Sequence, residues 1–207
     1  MKKITDIELQ KNNQDRVNIF LDNSFAFGIN IEIYLKYNLK KDMELEDSFI
    51  EDILKAEEYS KTLNYAINLL SKKDRTQKEI KVKLLEKGYE MEIVDKVLVK
   101  LKEYKFINDE LYCKKYINDK IKFSKYGKNK IMANLYAKGV DKDIISQKII
   151  EIDDNLEYER ALSIANKKLP SLQKYDTIKI KSKLGNHLIG KGFDFDVVNK
   201  VIRELTK

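Results

Sequence analysis

The amino-acid sequence predicts a mainly α protein: three tandem three-helix repeats in an elongated array, straight or curved, preceded by a small N-terminal antiparallel β meander. Three observations carry that expectation. The phrase LLEKGYEMEIVDKVL (84–98) returns as LYAKGVDKDIISQKI and LIGKGFDFDVVNKVI, setting Gly88, Gly139 and Gly192 in register at spacings of 139 − 88 = 51 and 192 − 139 = 53 residues. Inside each phrase, apolar residues recur at helical intervals. The first 30 residues instead hold short runs rich in Ile, Val and Phe, partly alternating and divided by polar turns.

Those runs are ITDIELQ, RVNIFLD and SFAFGIN, with a tight turn at Asp22-Asn23. A few short strands rarely stand alone in water, so the sheet is expected to dock on helices at about 30–38 and from residue 47 onward. No strand is expected after residue 46, and the modules are read as 1–46, 47–107, 108–153 and 154–207.

Each repeat opens with a helical stretch, at 59–71, 110–123 and 155–169, and Pro170 closes the last of them. The middle helix follows. Ile80 and Leu84, Ile131 and Leu135, and Leu184 and Leu188 stand seven and three residues before the aligned lysine, so one helix face is buried. Gly88, Gly139 and Gly192 suit a left-handed helix terminus, and the preceding Lys87, Lys138 and Lys191 suit the negative helix end. After each glycine, Tyr89, Val140 or Phe193 is placed to pack on Val94, Ile145 or Val198 as a hydrophobic staple. Asp141 and Asp194 are good N-caps and Glu90 a weaker one. The third helices run through Ile93, Val97 and Leu101, then Ile144, Ile149 and Ile152, then Val197, Val201 and Leu205. A unit of about 50 residues makes a marginal core alone, so neighbours should complete its burial.

With 207 residues, 43% of them hydrophobic, and no run of about 18 apolar residues, a folded protein without a membrane span is expected. The start MKKITDIELQ lacks a signal peptide's apolar stretch, which points to the cytoplasm. Cys113 and His187 are each the sole residue of their type, so neither a disulfide nor a structural zinc site is expected. Charge is uneven: residues 1–60 carry 8 − 13 = −5, whereas residues 111–152 carry 10 − 4 = +6. A basic middle suits a polyanionic partner.

No catalytic constellation, metal site or cofactor motif emerges. YGKNK (126–130) is not a phosphate-binding loop and GKGF (190–193) carries no dinucleotide-binding glycine pattern. His187 has no partner nucleophile and is assigned no role; Glu57-Glu58 and Asp153-Asp154 are read as solvated charge. The distinctive segment is YCKKYINDKIKFSKYGKNK (112–130), with seven lysines and one acid between Lys114 and Lys130. Basic residues interleaved with Tyr112, Tyr116, Phe123 and Tyr126 read as a nucleic-acid contact. Of the two readings open to the aromatics, base contact or core, the core is the favoured expectation, while the lysines are expected to form a functional surface. Lysines contact phosphate without reading sequence.

RTQKEIKVKLLEKGY (75–89), FINDELYCKKYINDKI (106–121) and YGKNKIMANLYAKGV (126–140) resemble the signatures of the RecX regulatory proteins. The resemblance spans about 63–205, with an N-terminal extension similar to that of Gram-positive-type members. Asn108 stands where a second acid is common, Cys113 where Ala is common, and several family arginines are lysines, which lack a planar fork. The resemblance implies a non-enzymatic, monomeric modulator of the RecA recombinase in DNA repair, recombination and the SOS response. Such a protein lies along the groove of the RecA–DNA filament, mostly inhibits ATP hydrolysis, strand exchange and assembly, and meets single-stranded DNA weakly or through RecA. Contact candidates are Arg75, Lys78, Lys114, Lys115, Lys122, Lys125, Lys128 and Lys130. The alternative is a direct DNA-binding helical repeat protein acting without RecA.

Overall fold

The computed structural model describes residues 1–206; Lys207, the last residue of the third expected repeat, lies outside the described residues. The chain divides into two compact units, Met1–Lys73 with Ile80–Phe106, and Asp74–Glu79 with the chain from Ile107 onward.

In the first unit, β1 (Lys2–Gln10), β2 (Asn13–Leu21) and β3 (Ser24–Asn30) form the expected meander. Asp22 and Asn23 both take positive φ, 49° and 63°, which matches the twist of the strands that they join. After α1 (Ile31–Lys36) a short β4 (Glu44–Leu45) returns to pair with β1, giving the order β3-β2-β1-β4. Ile4, Val17, Ile19, Leu21 and Ile29 fill one face of the sheet and pack with Ile33, Leu39, Leu45, Ile50 and Ile53, so the sheet does dock on helices. The helix α2 (Asp47–Lys72) is continuous over 26 residues, because neither Gly nor Pro interrupts it. It therefore joins the lead-in and the expected helix at 59–71 in one rod about 39 Å long at 1.5 Å per residue. Ile80 and Leu84 of α3 (Gln77–Glu86) and Val94 and Val97 of α4 (Met91–Glu103) are fully buried.

Glu57 is not solvated. It stands one turn beyond Ile53 on the buried stripe of α2 and is 3% exposed. Its carboxylate accepts the Asn30 N–H at 2.7 Å at the start of α1, and Arg16 Nη1 and Lys61 Nζ approach it at 2.8 and 3.2 Å.

The second unit holds two repeats. The first comprises α5 (Asp109–Asp119), continued by a π-helical turn at Lys120–Ser124, then α6 (Lys128–Ala137) and α7 (Lys142–Ile150). The other comprises α8 (Asp154–Lys168), a 3₁₀ turn at Leu169–Leu172, α9 (Thr177–Gly190) and α10 (Phe195–Leu205). Pro170 lies inside the 3₁₀ turn: having no N–H, it cannot extend the α ladder, and the chain tightens instead. Asp141 and Asp194 cap their helices by accepting the N–H of Asp143 and Asp196 at 2.8 and 3.0 Å, whereas Glu90 makes no such bond.

The recurrent Lys-Gly turn does two jobs. Gly88, Gly139 and Gly192 have φ of 94°, 79° and 86°, where a side chain is strained. Gly139 and Gly192 are also pressed against the start of the preceding repeat's middle helix. A Cβ on Gly192 would overlap the Lys130 backbone, one on Gly139 would overlap the Lys78 side chain, and around Gly88 the space is open. At this joint the N–H groups of Gly127 and Asn129 donate to the carbonyls of Lys191 and Gly192, both at 3.0 Å. Free donors of one helix start thus meet free acceptors of another helix end. Urea unfolding should rank the alanine variants accordingly. Gly88→Ala is expected to cost about 1 to 2 kcal/mol, the φ penalty alone, and Gly192→Ala about 3 kcal/mol or more, since backbone must move.

Candidate interaction surface

The eight sequence-derived contact candidates fall into three sets. Four are engaged within the second unit. Lys115 Nζ pairs with Asp74 at 2.8 Å. Lys78 lays its stem on Gly139, with Nζ 3.4 Å from the Ala137 carbonyl. Lys130 Nζ donates to the Gly190 carbonyl at 3.2 Å. Lys128, only 16% exposed, pairs with Asp154 at 2.5 Å and lies 3.6 Å from Glu157. Arg75 stands apart: it is half-buried, and its buried Nε has no hydrogen-bond partner among the described residues. The remaining three, Lys114, Lys122 and Lys125, are exposed and have no ion-pair partner among the described residues.

Two buried networks set this surface. Thr76, fully buried, donates its hydroxyl to the Lys138 carbonyl at 2.6 Å and accepts the Glu79 N–H at 3.2 Å, while Glu79 accepts the Thr76 N–H at 3.1 Å. The Thr-x-x-Glu spacing is a capping box, a signal readable in the sequence. Lys138 Nζ closes it on Glu79 at 2.6 Å. Burial works against the Lys138 ammonium, but hydrogen bonds to Glu79 and Tyr112 prevail and its pKa stays above the usual lysine range. In the other network Glu157, 1% exposed, accepts the Lys128 N–H at 2.8 Å at the first turn of α6. Its place on the buried stripe with Ala161, Ile164 and Ala165 was the signal for it. One turn on, the half-buried Arg160 donates to the Tyr126 carbonyl and lies over the Phe193 ring at 5.8 Å. Burial lowers its pKa, with Glu157 opposing.

The aromatics divide differently from expectation. Tyr112 and Tyr116 stack at 6.1 Å and, with Tyr126, pack partly on the core. Phe123, expected inward, is 70% exposed, because the π turn changes the residues per turn and rotates the end of the helix. His187 is half-buried near Lys168 and Lys191. Among the described residues no group of three or more His, Cys, Asp or Glu is placed to hold a metal, and no helix is long and apolar enough to cross a membrane.

Four family models tile the chain: the regulatory protein RecX N-terminal domain at residues 2–46, and the first, second and third RecX three-helix domains at 63–101, 108–149 and 155–202. The chain belongs to the RecX family. Regulatory protein RecX of Clostridioides difficile (strain 630) is 38% identical over 202 residues, covering 98% of this chain and 95% of the relative. The RecX protein of Clostridium perfringens (strain 13 / Type A) is 38% identical over 208 residues, covering 100% and 97%. A solved crystal structure of regulatory protein RecX superposes with a TM-score of 0.82 at 27% identity, over 97% of this chain and 98% of that one. RecX from Lactobacillus salivarius superposes with a TM-score of 0.68 at 30% identity, over 72% and 97%. RecX membership thus accounts for both the sheet module and the three helical repeats.

Two measurements probe these networks. Glu157→Ala should cost about 3 kcal/mol by removing one member of a buried pair, whereas Glu151→Ala, whose carboxylate is open to solvent and shares Lys148 with Glu110, should cost under about 1 kcal/mol in the same urea titration. His187 gives a pH signature. Burial, then Lys191 and Lys168, hold its imidazole below the usual 6.5, so the unfolded chain takes up the proton first. That contribution is complete above about pH 6.5 and is lost as pH falls through the folded-state value. His187→Gln should flatten this part of the stability–pH curve.

Proposed function

We propose that this chain docks on the filament that RecA forms on DNA, along its groove, and mostly inhibits RecA ATP hydrolysis, strand exchange and filament assembly. The observation that carries the reading is RecX family membership over the whole length, with 38% identity to relatives named regulatory protein RecX. Three helical repeats, bounded at 47–107, 108–153 and 154–207, offer a filament several weak contacts at once, and linked contacts multiply in effect. The exposed lysines Lys114, Lys122 and Lys125 of the second repeat supply charge for a nucleoprotein surface, Lys78, Lys115, Lys128 and Lys130 hold that surface in shape, and the half-buried Arg75 remains a contact candidate beside them. In this reading the protein is a cytoplasmic monomer that acts in DNA repair and recombination, needs no cofactor and transforms no substrate.

The test is RecA ATPase activity on single-stranded DNA titrated with the chain. Inhibition should saturate near one copy per few RecA subunits. A triple variant, Lys114→Glu, Lys122→Glu and Lys125→Glu, should need about tenfold more protein for half-inhibition, since each reversal removes an attractive contact and adds a repulsive one. Unchanged inhibition by this variant would remove the basic surface from the mechanism; no inhibition by the native chain would remove RecA.

A further inference from the structure

The third repeat carries a basic cluster that faces the exposed end of the second. Lys125, in the left-handed conformation at φ 53°, ends the π turn and lies against Lys167 of α8 closely enough to lower its own pKa. Tyr126 follows, with Lys130 Nζ 4.6 Å and Lys191 Nζ 5.8 Å from its ring centre. Lys168 and Lys191 flank His187. None of Lys122, Lys125, Lys130, Lys167, Lys168 and Lys191 has an ion-pair partner among the described residues, although carboxylates neutralise Lys115, Lys128, Lys138 and Lys148 in the same unit. Like charges held together without a counter-charge repel, and a polyanion relieves them.

The cluster is also held in place. Arg160 fixes the Tyr126 carbonyl, and the Gly127 N–H is bonded to the Lys191 carbonyl at 3.0 Å, so the loop that carries Lys125 is pinned from α8 and from the end of α9. A pinned loop spends little ordering entropy on a ligand. Beside it, Phe123 offers a ring 70% open to solvent, with Lys122 Nζ 5.2 Å from the ring centre. An open aromatic face next to phosphate-seeking cations suits a base whose own face is free. Stacked, paired bases of a duplex present no such face.

We propose that Phe123, with Lys122, Lys125, Lys167, Lys168 and Lys191, forms a site for an unpaired nucleic-acid strand, the ring stacking on one base and the lysines holding adjacent phosphates. The site deepens the filament reading and rests on it for its role, because it says which part of a nucleoprotein this face touches. It joins the second repeat to the third, and it discriminates single strand from duplex without reading sequence.

Fluorescence anisotropy with labelled oligothymidine and with a hairpin duplex of equal length tests it, using the full chain without RecA. Phe123→Ala should weaken single-strand binding about five- to twentyfold by loss of one stacked base, leave duplex binding within about twofold, and be rescued by Phe123→Trp. The double variant Lys125→Gln, Lys167→Gln should lower the slope of log affinity against log salt by about 1.4, at about 0.7 per single-strand phosphate contact. Circular dichroism melting checks that each variant is folded. Equal losses on both nucleic acids, no loss, an unchanged salt slope in the lysine variant, or a native chain that does not prefer single strands would each overturn the site. RecA ATPase inhibition by the same samples separates the two readings. Native inhibition without Phe123 dependence of strand binding sinks only the site; Phe123-dependent binding without native inhibition sinks only the filament reading.

Discussion

Everything in the second unit depends on helix ends that complete each other. An α-helix leaves donors bare at its start and acceptors bare at its finish, and burying either without a partner is costly. Here the start of α6 is placed against the finish of α9, so Gly127 and Asn129 donate to Lys191 and Gly192. The segment Thr76–Glu79 meets the finish of α6 in the same sense, with Thr76 donating to the Lys138 carbonyl. The repeated glycine follows from this contact as much as from its own φ, because a side chain on Gly139 or Gly192 would occupy the neighbour's space. Aligned ends also bring the positive end of one helix dipole to the negative end of the next.

A second device recurs: a carboxylate from one helix completes the start of another. Asp109 of α5 accepts the Gln77 N–H at 2.9 Å, Glu157 of α8 accepts that of Lys128 at 2.8 Å, and Glu57 of α2 accepts that of Asn30 at 2.7 Å. Glu57 and Glu157 are buried in ionised company, which adds little net stability over an apolar core but fixes register, since a shifted helix would strand a charge. Precision of this kind matters for a surface whose lysines must keep their spacing.

The fold was largely legible because helical periodicity is local. Ile80, Leu84, Ile131, Leu135, Leu184 and Leu188, read from spacing alone, are all fully buried. The surface was less legible because composition does not say what a lysine faces. Lys128 and Lys122 look alike in the sequence, yet one is locked on Asp154 and the other is exposed, and the acids that decide it lie about thirty residues away. Lys167, Lys168 and Lys191 lie outside the basic segment of the sequence for the converse reason: only folding brings α8 and α9 beside the loop at Lys125. Phe123, named in the sequence but placed in the core, faces solvent, and the π turn that rotates it outward has no sequence signature comparable to a cap.

The two joints, alike in plan, differ in what makes them. Between α6 and α9 the bonds run main chain to main chain, with Gly127 and Gly192 in backbone contact. Between Thr76–Glu79 and α6 they run through a hydroxyl, a carboxylate and two lysine stems. Side chains swing between rotamers at a cost that backbone geometry does not allow. A substitution at Thr76 or Lys138 therefore removes bonds of the Thr76–Glu79 joint outright, while the α6–α9 junction, made by main chain, keeps its bonds when a flanking side chain is shortened.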